Sequence, residues 1–403
     1  MAKLSRKIEN FSKALSNNCM WMIGGVAPAK QTSTAKDWCR ANPEIAQYVS
    51  LHPWSAIDYP ARPSFGNRDA FEQAIVDNPH VDSTVLLDEV LAARKKPIRH
   101  RGVASIEGGR VFSNWGVVIA PDNCLLNDLN SGTLANASDS ADKAKYYGRL
   151  PPAKKVDGSV GVLASFHAKR NYFHWMIEIL PKLGEFRDAQ LHPERFFAHY
   201  SHSYHRDFLS LMGIEADRII PAERYSHIQA DLLLAPERLI GPMHPNSAET
   251  LHQSMADQTW SEIENPSRQR IYVSRERCGA RKVTNEAELM RKLKPMGIRR
   301  VVLEEMPLKE QIQLFQQVEL VVGPHGAGLA NVVFSRRSTQ LVEFGTPMRP
   351  NPSMYHIACA RNQPYLFYCA TPVGGKKEES DIAVDVDLVS ATIADLLDEP
   401  IRD

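Results

Sequence analysis

Val318-Glu-Leu-Val-Val-Gly-Pro-His-Gly-Ala-Gly-Leu-Ala-Asn-Val-Val-Phe334 is the stretch whose reading decides the fold. Leu320 to Val322 is a short β-branched apolar run, as expected of a buried strand. Gly323-Pro324 ends it, and Gly326 and Gly328 bracket Ala327 where a helix is expected to begin. The two glycines let the backbone turn sharply and approach a ligand closely. First-turn N–H groups, with the positive end of the helix dipole, make an anion site. His325 falls at the C-terminal end of the strand, where open α/β sheets bind ligands. These residues read as a diphosphate cradle, although a tight strand–helix turn without a ligand carries the same glycine pattern.

Working outward, the alternation continues on both sides. Downstream of residue 268, strands are expected at Arg270 to Ser274, Arg300 to Leu303 and Gln340 to Phe344, with helices at Asn285 to Leu293 and Leu308 to Gln317. Strands and helices that alternate with short connections predict a mostly parallel, doubly wound sheet. An earlier region repeats the theme. Strands are expected at Val160 to Ser165 and Arg195 to Tyr200, helices at Asn171 to Phe186 and Tyr204 to Met212, and apolar pieces at Arg218 to Ile220 and Asp231 to Leu234. From Val103 to Asn130 the pattern is strand-like, with turns at Gly108-Gly109 and Pro121-Asp-Asn123. The proline-punctuated residues 241 to 268 surround a helix, Ala248 to Ile263, and read as a hinge. The expected architecture is α/β: two Rossmann-like domains facing a cleft, residues 101–260 and 261–385. An N-terminal extension, residues 1–100, precedes them, and a C-terminal helix, residues 386–403, packs back on the body.

The 403 residues suit two domains, each able to bury a core. A net charge of +1 gives no reason to expect nucleic acid as a partner. Arg94-Lys-Lys-Pro-Ile-Arg-His-Arg101, the marked basic run, reads as a solvated linker, with a membrane-surface contact as the other reading. Cys19, Cys39, Cys124, Cys278, Cys359 and Cys369 are scattered without C-x-x-C spacing, which argues against a zinc site and suits a reducing compartment. The N-terminus has no apolar core of signal-peptide length, and no run of about 18 apolar residues exists to span a membrane. The expected location is therefore the cytoplasm, with peripheral association at the inner face of the membrane. The Asn136 sequon carries no weight in that setting.

Arg275, His325 and Glu343 fall at or just past the ends of expected parallel strands, so all three should point into one crevice. An Arg clamps phosphate bidentately, and a Glu can accept from two ribose hydroxyls, so the set suits a nucleoside diphosphate. Arg281 could add a second positive charge. The alternative is a structural Arg275–Glu343 salt bridge. In the first region, Asn171, His174 and Glu178 share one helical face, beside an apolar stripe of Phe173, Ile177 and Leu180. Pro181 should kink or stop that helix. A His and a carboxylate held together and partly desolvated are a general-base candidate; a semi-buried polar pair that orients the helix is the alternative. Asp385-Val-Asp387 precedes the last helix and reads as a capping stretch instead of a metal site.

Asn171-Tyr-Phe-His-Trp-x3-Ile-Leu-Pro-Lys-Leu183 resembles the N-terminal motif of the family 61 glycosyltransferases. So do Tyr272-Val-Ser-Arg275, Arg281, Asn285-Glu286, Gly323-Pro-His-Gly-Ala-Gly-Leu-x-Asn331 and Val342-Glu343. The motifs occur in the family's order over roughly residues 100 to 390, leaving the first hundred outside. The resemblance implies a GT-B-like fold and an inverting transfer of sugar from a nucleotide-sugar donor, in our reading a UDP-sugar, with no obligatory metal or other cofactor. Carried over by position, it implies a donor site of Arg275, Arg281, His325, Gly326, Ala327, Gly328 and Glu343, and a catalytic and acceptor face of Asn171, His174 and Glu178. The expected acceptor is a glycan or lipid-linked glycan in bacterial surface or capsular polysaccharide synthesis. A non-catalytic nucleotide-sugar or glycan-binding module is the competing class. A nucleotide-sugar epimerase or dehydrogenase is disfavoured, because no G-x-G-x-x-G opens the first β/α unit.

Overall fold

The computed structural model describes residues 31–52, 55–56, 64–65, 97–98, 101–129, 150–238, 245–259, 268–346, 351–374 and 379–398. A short helix expected at residues 7–15, the Asn136 sequon and most of the basic run at residues 94–101 lie outside them. The chain forms two compact units, Met1–Pro53 with Arg99–Ile240 and Trp54–Ile98 with Gly241–Asp403.

The first unit is doubly wound on one side only. Lys154–Leu163 runs parallel to Arg195–Ala198 and to His227–Pro236, and Arg195–Ala198 runs parallel to Ile219–Pro221. Helices Pro181–Asp188 and Ser203–Leu211 occupy the crossovers. Beyond His227–Pro236 the sheet becomes antiparallel. Arg101–Glu107 and Arg110–Phe112 pair against that strand, and Val117–Ile119 and Cys124–Leu126 continue as a meander. The chain passes Gly108-Gly109 without reversing, so these two strands lie in one line along His227–Pro236, and the four-residue links 113–116 and 120–123 that follow can close hairpins but cannot carry a crossover helix. Gly116 in the first of these turns takes φ 67° and Asn123 in the second φ 72°. The outcome, among the described residues, is a ten-stranded mixed sheet, which corrects the Rossmann-like reading of residues 101–260. Residues 31–52 also belong to this unit. Gln31–Ser33 pairs with Cys124–Leu126, and Ala46–His52 with Arg101–Glu107. Between them, helix Ala35–Ala41 buries Ala35, Trp38 and Cys39, spaced three and four apart, in the same core.

The second unit is a parallel sheet of six strands among the described residues. In spatial order they are Ile298–Val301, Gln269–Val273, Val318–Pro324, Gln340–Gly345, Tyr365–Cys369 and Ser64–Phe65. Numbered along the chain from residue 269, the first five run 2-1-3-4-5, so the order reverses between Gln269–Val273 and Val318–Pro324. Doubly wound sheets of this order bind ligands at that reversal, beyond the carboxyl ends of the strands. Val318–Pro324 is buried along nearly its whole length, as a parallel strand covered on both faces must be. Helix Val386–Asp398 lies against Glu286–Leu293, and Val386, Val389 and Ile393 join Leu289, Leu293 and Val322 in one core. Asp385 accepts the Leu388 N–H at 3.0 Å, which makes it the cap of that last helix.

Candidate active site

In the first unit the polar cluster begins where Lys154–Leu163 ends. Residues 164–170 form a turn, and Asn171 then caps a helical turn, its side chain accepting the His174 N–H at 3.4 Å. Asn171 is exposed and touches His174 only through the main chain, so the structure gives it a capping role. The expected continuous helix is instead three pieces: an α-turn at Tyr172–His174, a π-turn at Trp175–Ile179 and a helix at Pro181–Asp188. Pro181 explains the break. It has no N–H to give, and its ring would crowd the carbonyl four residues earlier. The chain widens there, with the Leu180 N–H reaching back five residues to the Trp175 carbonyl. The widening also changes the buried stripe. Trp175, Met176 and Ile179 are buried, while Phe173 and Ile177 are half-buried.

Glu178 is 5% exposed, and both its oxygens are occupied. Oε1 lies 2.7 Å from His174 Nδ1, and Oε2 accepts the Ser165 hydroxyl at 3.0 Å. The His174 side chain is 30% exposed and stacks on His167, ring centroids 4.9 Å apart. His167 Nδ1 is buried without a hydrogen-bond partner among the described residues. Burial pushes the Glu178 carboxyl up, but the hydrogen bond and charge of His174, with Arg238 and His167, outweigh it and leave it below the usual carboxylate range. Burial pulls the Lys182 ammonium down to about 8, against the attraction of Glu178. Behind the turn, burial holds His199 down to about 4 and His205 down to about 3. Both are neutral donors, His199 Nε2 to the Ser165 carbonyl at 2.8 Å and His205 Nε2 to the Ala168 carbonyl at 3.3 Å.

His167, His174 and Glu178 offer donor atoms within 4.8 Å of one another, a spacing a divalent cation could use. The surroundings fit a cation poorly. Lys182 and Arg238 already place positive charge at Glu178, and both of its oxygens have protein partners.

In the second unit the cradle residues assemble at the reversal point of the sheet. The helix after the strand is a 3₁₀ helix, Ala327–Phe334, with the Leu329 N–H returned to the Gly326 carbonyl. Gly326 has φ −177°, extended backbone open to any residue, so the turn itself does not require glycine. What glycine provides is room, because a Cβ there would displace the Arg275 guanidinium, the end of a flexible side chain. A Cβ on Gly328 would sit 2.8 Å from Leu303 Cδ1. Arg275 is held by two hydrogen bonds of 3.1 Å to the Ala280 carbonyl. Arg281, at φ 59°, lies in the same turn, and both guanidiniums act on the Cys278 thiol between them.

Glu343 does not pair with Arg275, and it is not placed to accept ribose hydroxyls. It is fully buried, with one oxygen on His325 Nδ1 and the other accepting the Tyr365 hydroxyl at 2.6 Å. Strand register explains this. Gly323 lies opposite Glu343, so His325 at the end of one strand meets Glu343 on its neighbour. The structure thus brings together Arg275, His325, Gly326, Ala327 and Gly328, with Glu343 behind His325.

Ser165, His167, Lys182 and Tyr365 are the site residues that sequence reasoning missed. Ser165 and His167 had a signal, since both fall at the C-terminal end of an expected strand. Lys182 had one as well, since it lies within the Asn171–Leu183 motif; Tyr365 had none, and no strand was expected at Tyr365–Cys369.

The family model for Glycosyltransferase 61 matches residues 172–342, a span containing His174, Glu178, Arg275 and His325. No curated protein matches the chain.

Proposed function

From the match of residues 172–342 to the family model for Glycosyltransferase 61, we propose that the chain is a glycosyltransferase and that it carries out an inverting, metal-independent transfer of sugar from a nucleoside-diphosphate donor to a glycan hydroxyl. A UDP-sugar donor, a GT-B-like fold, a cytoplasmic setting and a role in bacterial surface polysaccharide synthesis belong to the same proposal. No described helix is long and apolar enough to cross a membrane.

The observation that carries the reading is the closure of Glu178 by Ser165 and His174. A buried carboxylate with both oxygens engaged is a poor proton acceptor for a substrate, but it is well placed to fix an imidazole. With Nδ1–H donating to Glu178, His174 keeps Nε2 unprotonated on its exposed side. His174 is then the base and Glu178 the positioning residue, the division of labour seen in serine hydrolases. The acceptor oxygen forms a bond to the anomeric carbon as the bond from that carbon to the diphosphate oxygen breaks. The electron pair leaves with the nucleoside diphosphate, and the hydroxyl proton goes to His174 Nε2. In the second unit, Arg275 and the N–H groups of the Gly326–Gly328 turn meet the charge developing on the leaving diphosphate, so that protein supplies the role of a cation.

A thermal-shift panel of UDP, GDP, CMP, ADP and NAD, each with and without EDTA, tests this. A nucleotide at 100 times its Kd should stabilise by about 2.7 kcal/mol. A shift with one nucleoside diphosphate that survives EDTA is the expected result. No shift with any nucleotide, or one abolished by EDTA, would sink the donor-site reading.

A further inference from the structure

The first unit also contains a cavity of about 360 Å³, walled chiefly by Phe112, Ser113, Asn114, Trp115, Lys169 and Arg224. We propose that this cavity is a subsite for an acidic sugar, a saccharide unit bearing a carboxylate or a phosphate. Its C–H face packs on Trp115, and its negative charge is met by Lys169 and Arg224.

Charge is the first argument. Two of the lining residues are cationic and none is acidic. Burial pulls the Lys169 ammonium down, and the positive charges of Arg170 and Arg224 add to the effect. The two cations therefore act on each other at a cavity whose lining offers no carboxylate, an arrangement that an anion relieves. Arg224 is further steadied by lying over the Tyr225 ring, 5.1 Å from its centroid.

The second argument is the way Trp115 is presented. Its turn contains two left-handed residues, Ser113 at φ 61° and Gly116 at φ 67°. A non-glycine residue in that region is uncommon and persists where the surroundings enforce it. Here the Ser113 N–H donates to the Ser226 carbonyl at 2.7 Å, and the Ser113 hydroxyl accepts the Trp115 N–H at 3.2 Å. A Cβ on Gly116 would collide with the Ala164 carbonyl. The strained turn holds the indole at the cavity wall, where Phe166 braces it edge-to-face at 5.1 Å. Phe166 is itself 47% exposed, which leaves an aromatic pair beside a cationic rim. Aromatic faces with polar neighbours suit the mixed surface of a pyranose.

The third argument is continuity with His174. Within the five residues 165–169, Ser165 bonds Glu178, Phe166 braces Trp115, His167 stacks on His174 and Lys169 lines the cavity. A sugar held in the cavity is thus held by the same turn that sets the proposed base. The identification of the subsite as part of the acceptor site rests on the transferase reading; the binding chemistry does not.

The test is equilibrium binding to the full chain by saturation-transfer NMR and titration calorimetry, without donor, using glucuronic acid, glucose 1-phosphate and glucose. At least one charged sugar should bind roughly tenfold more tightly than glucose, the worth of about one charge-assisted hydrogen bond. Which of the two does so tells whether carboxylate or phosphate is the natural group. The double variant Lys169→Met/Arg224→Met should lose that preference, and Trp115→Ala should weaken all binding, with circular dichroism showing each variant folded. Equal affinity for glucose, no binding of either charged sugar, or a charge preference that survives the double variant overturns the proposal. A protein that binds acidic sugars but no nucleotide would sink the transferase reading and leave the subsite standing. A transferase without charge preference would do the reverse.

Discussion

Both units hold a histidine whose Nδ1 meets a buried glutamate, and in both a hydroxyl closes the glutamate's second oxygen. In the first unit the set is His174, Glu178 and Ser165; in the second it is His325, Glu343 and Tyr365. They are assembled differently. His174 and Glu178 are four residues apart on one helical segment, whereas His325 and Glu343 come from the ends of neighbouring parallel strands. His174 is 30% exposed and His325 14%, and Glu343 has no exposure at all. Around the first pair lie the titratable groups His167, Lys182 and Arg238; beside the second lie main-chain N–H groups and Arg275. The same device therefore suits two tasks. On the proposed roles, the partly exposed imidazole of the first unit exchanges a proton, and the braced imidazole of the second presents a fixed edge to an anion.

Kinetics of the two histidine variants should break this comparison if it is wrong. On the proposed roles, His174→Ala removes the base and lowers kcat by about 10²–10⁴-fold with nucleotide affinity unchanged. Glu178→Gln should approach the same loss, because an amide facing Nδ1 favours the wrong tautomer. His325→Ala should act mainly through donor KM. A loss of less than tenfold in kcat for His174→Ala, or equal kcat losses for the two histidine variants, would show that proton transfer is not divided this way.

Acid should separate the units next. His199 and His227 are held down to about 4 and His205 down to about 3, each chiefly by burial. Unfolded, they take up protons below about 6.5. Between those values the unfolded state binds more protons, so the stabilisation is complete above pH 6.5 and is lost as pH falls toward 4. The three together amount to roughly a few kcal/mol by pH 5. His252 in the second unit is also pulled down by burial, so the contrast is one of degree. Hydrogen exchange at pH 7 and pH 5 should show protection lost first in the first unit, around residues 164–170 and His227–Pro236. Equal loss in both units would remove the contrast.

How far the sequence could be read follows the same division. The second unit was legible because each parallel strand is a short apolar run followed by a helix with a clear face, so Arg275 and His325 could be placed at strand ends by counting. The Glu343 partnership was not, since a contact between neighbouring strands depends on register and not on spacing along one element. In the first unit, the four-residue spacing of His174 and Glu178 showed that they share a face. It could not show the π-turn, which follows from the missing N–H of Pro181 acting on a turn already begun. The antiparallel half of the sheet was visible as strands with a turn at Pro121-Asp-Asn123, whereas the turn expected at Gly108-Gly109 is a passage along one strand line. Those strands do share one sheet with the β/α elements downstream, and reading the whole as Rossmann-like was the error, for the tight hairpins at 113–116 and 120–123 exclude crossovers.

Glutamate-to-glutamine changes sharpen the comparison through stability. Glu343→Gln should cost about 1–3 kcal/mol, read as a lower denaturant midpoint, because Tyr365 and His325 lose a charged partner in a site sealed from water. Glu178→Gln should cost less stability and more activity, since His174 beside it reaches solvent. The reverse ordering would mean that the first pair is the structural one.

The smallest effect distinguishes the two glycines of the cradle. Alanine at Gly326 meets no backbone penalty, because φ −177° is open to any residue. Its Cβ meets the end of a flexible side chain, so Arg275 can swing aside and release the Ala280 carbonyl. Stability should change by less than about 1 kcal/mol, while nucleoside-diphosphate affinity falls roughly tenfold with the displaced guanidinium. Gly328→Ala instead presses on Leu303, a 5% exposed core side chain, and should cost about 1–3 kcal/mol of stability by overpacking. Calorimetric Kd values and thermal midpoints for the two variants check this directly. If Gly326→Ala binds nucleotide as tightly as the parent, Arg275 is not a phosphate ligand, and the cradle would have to act through His325 and main-chain N–H groups alone.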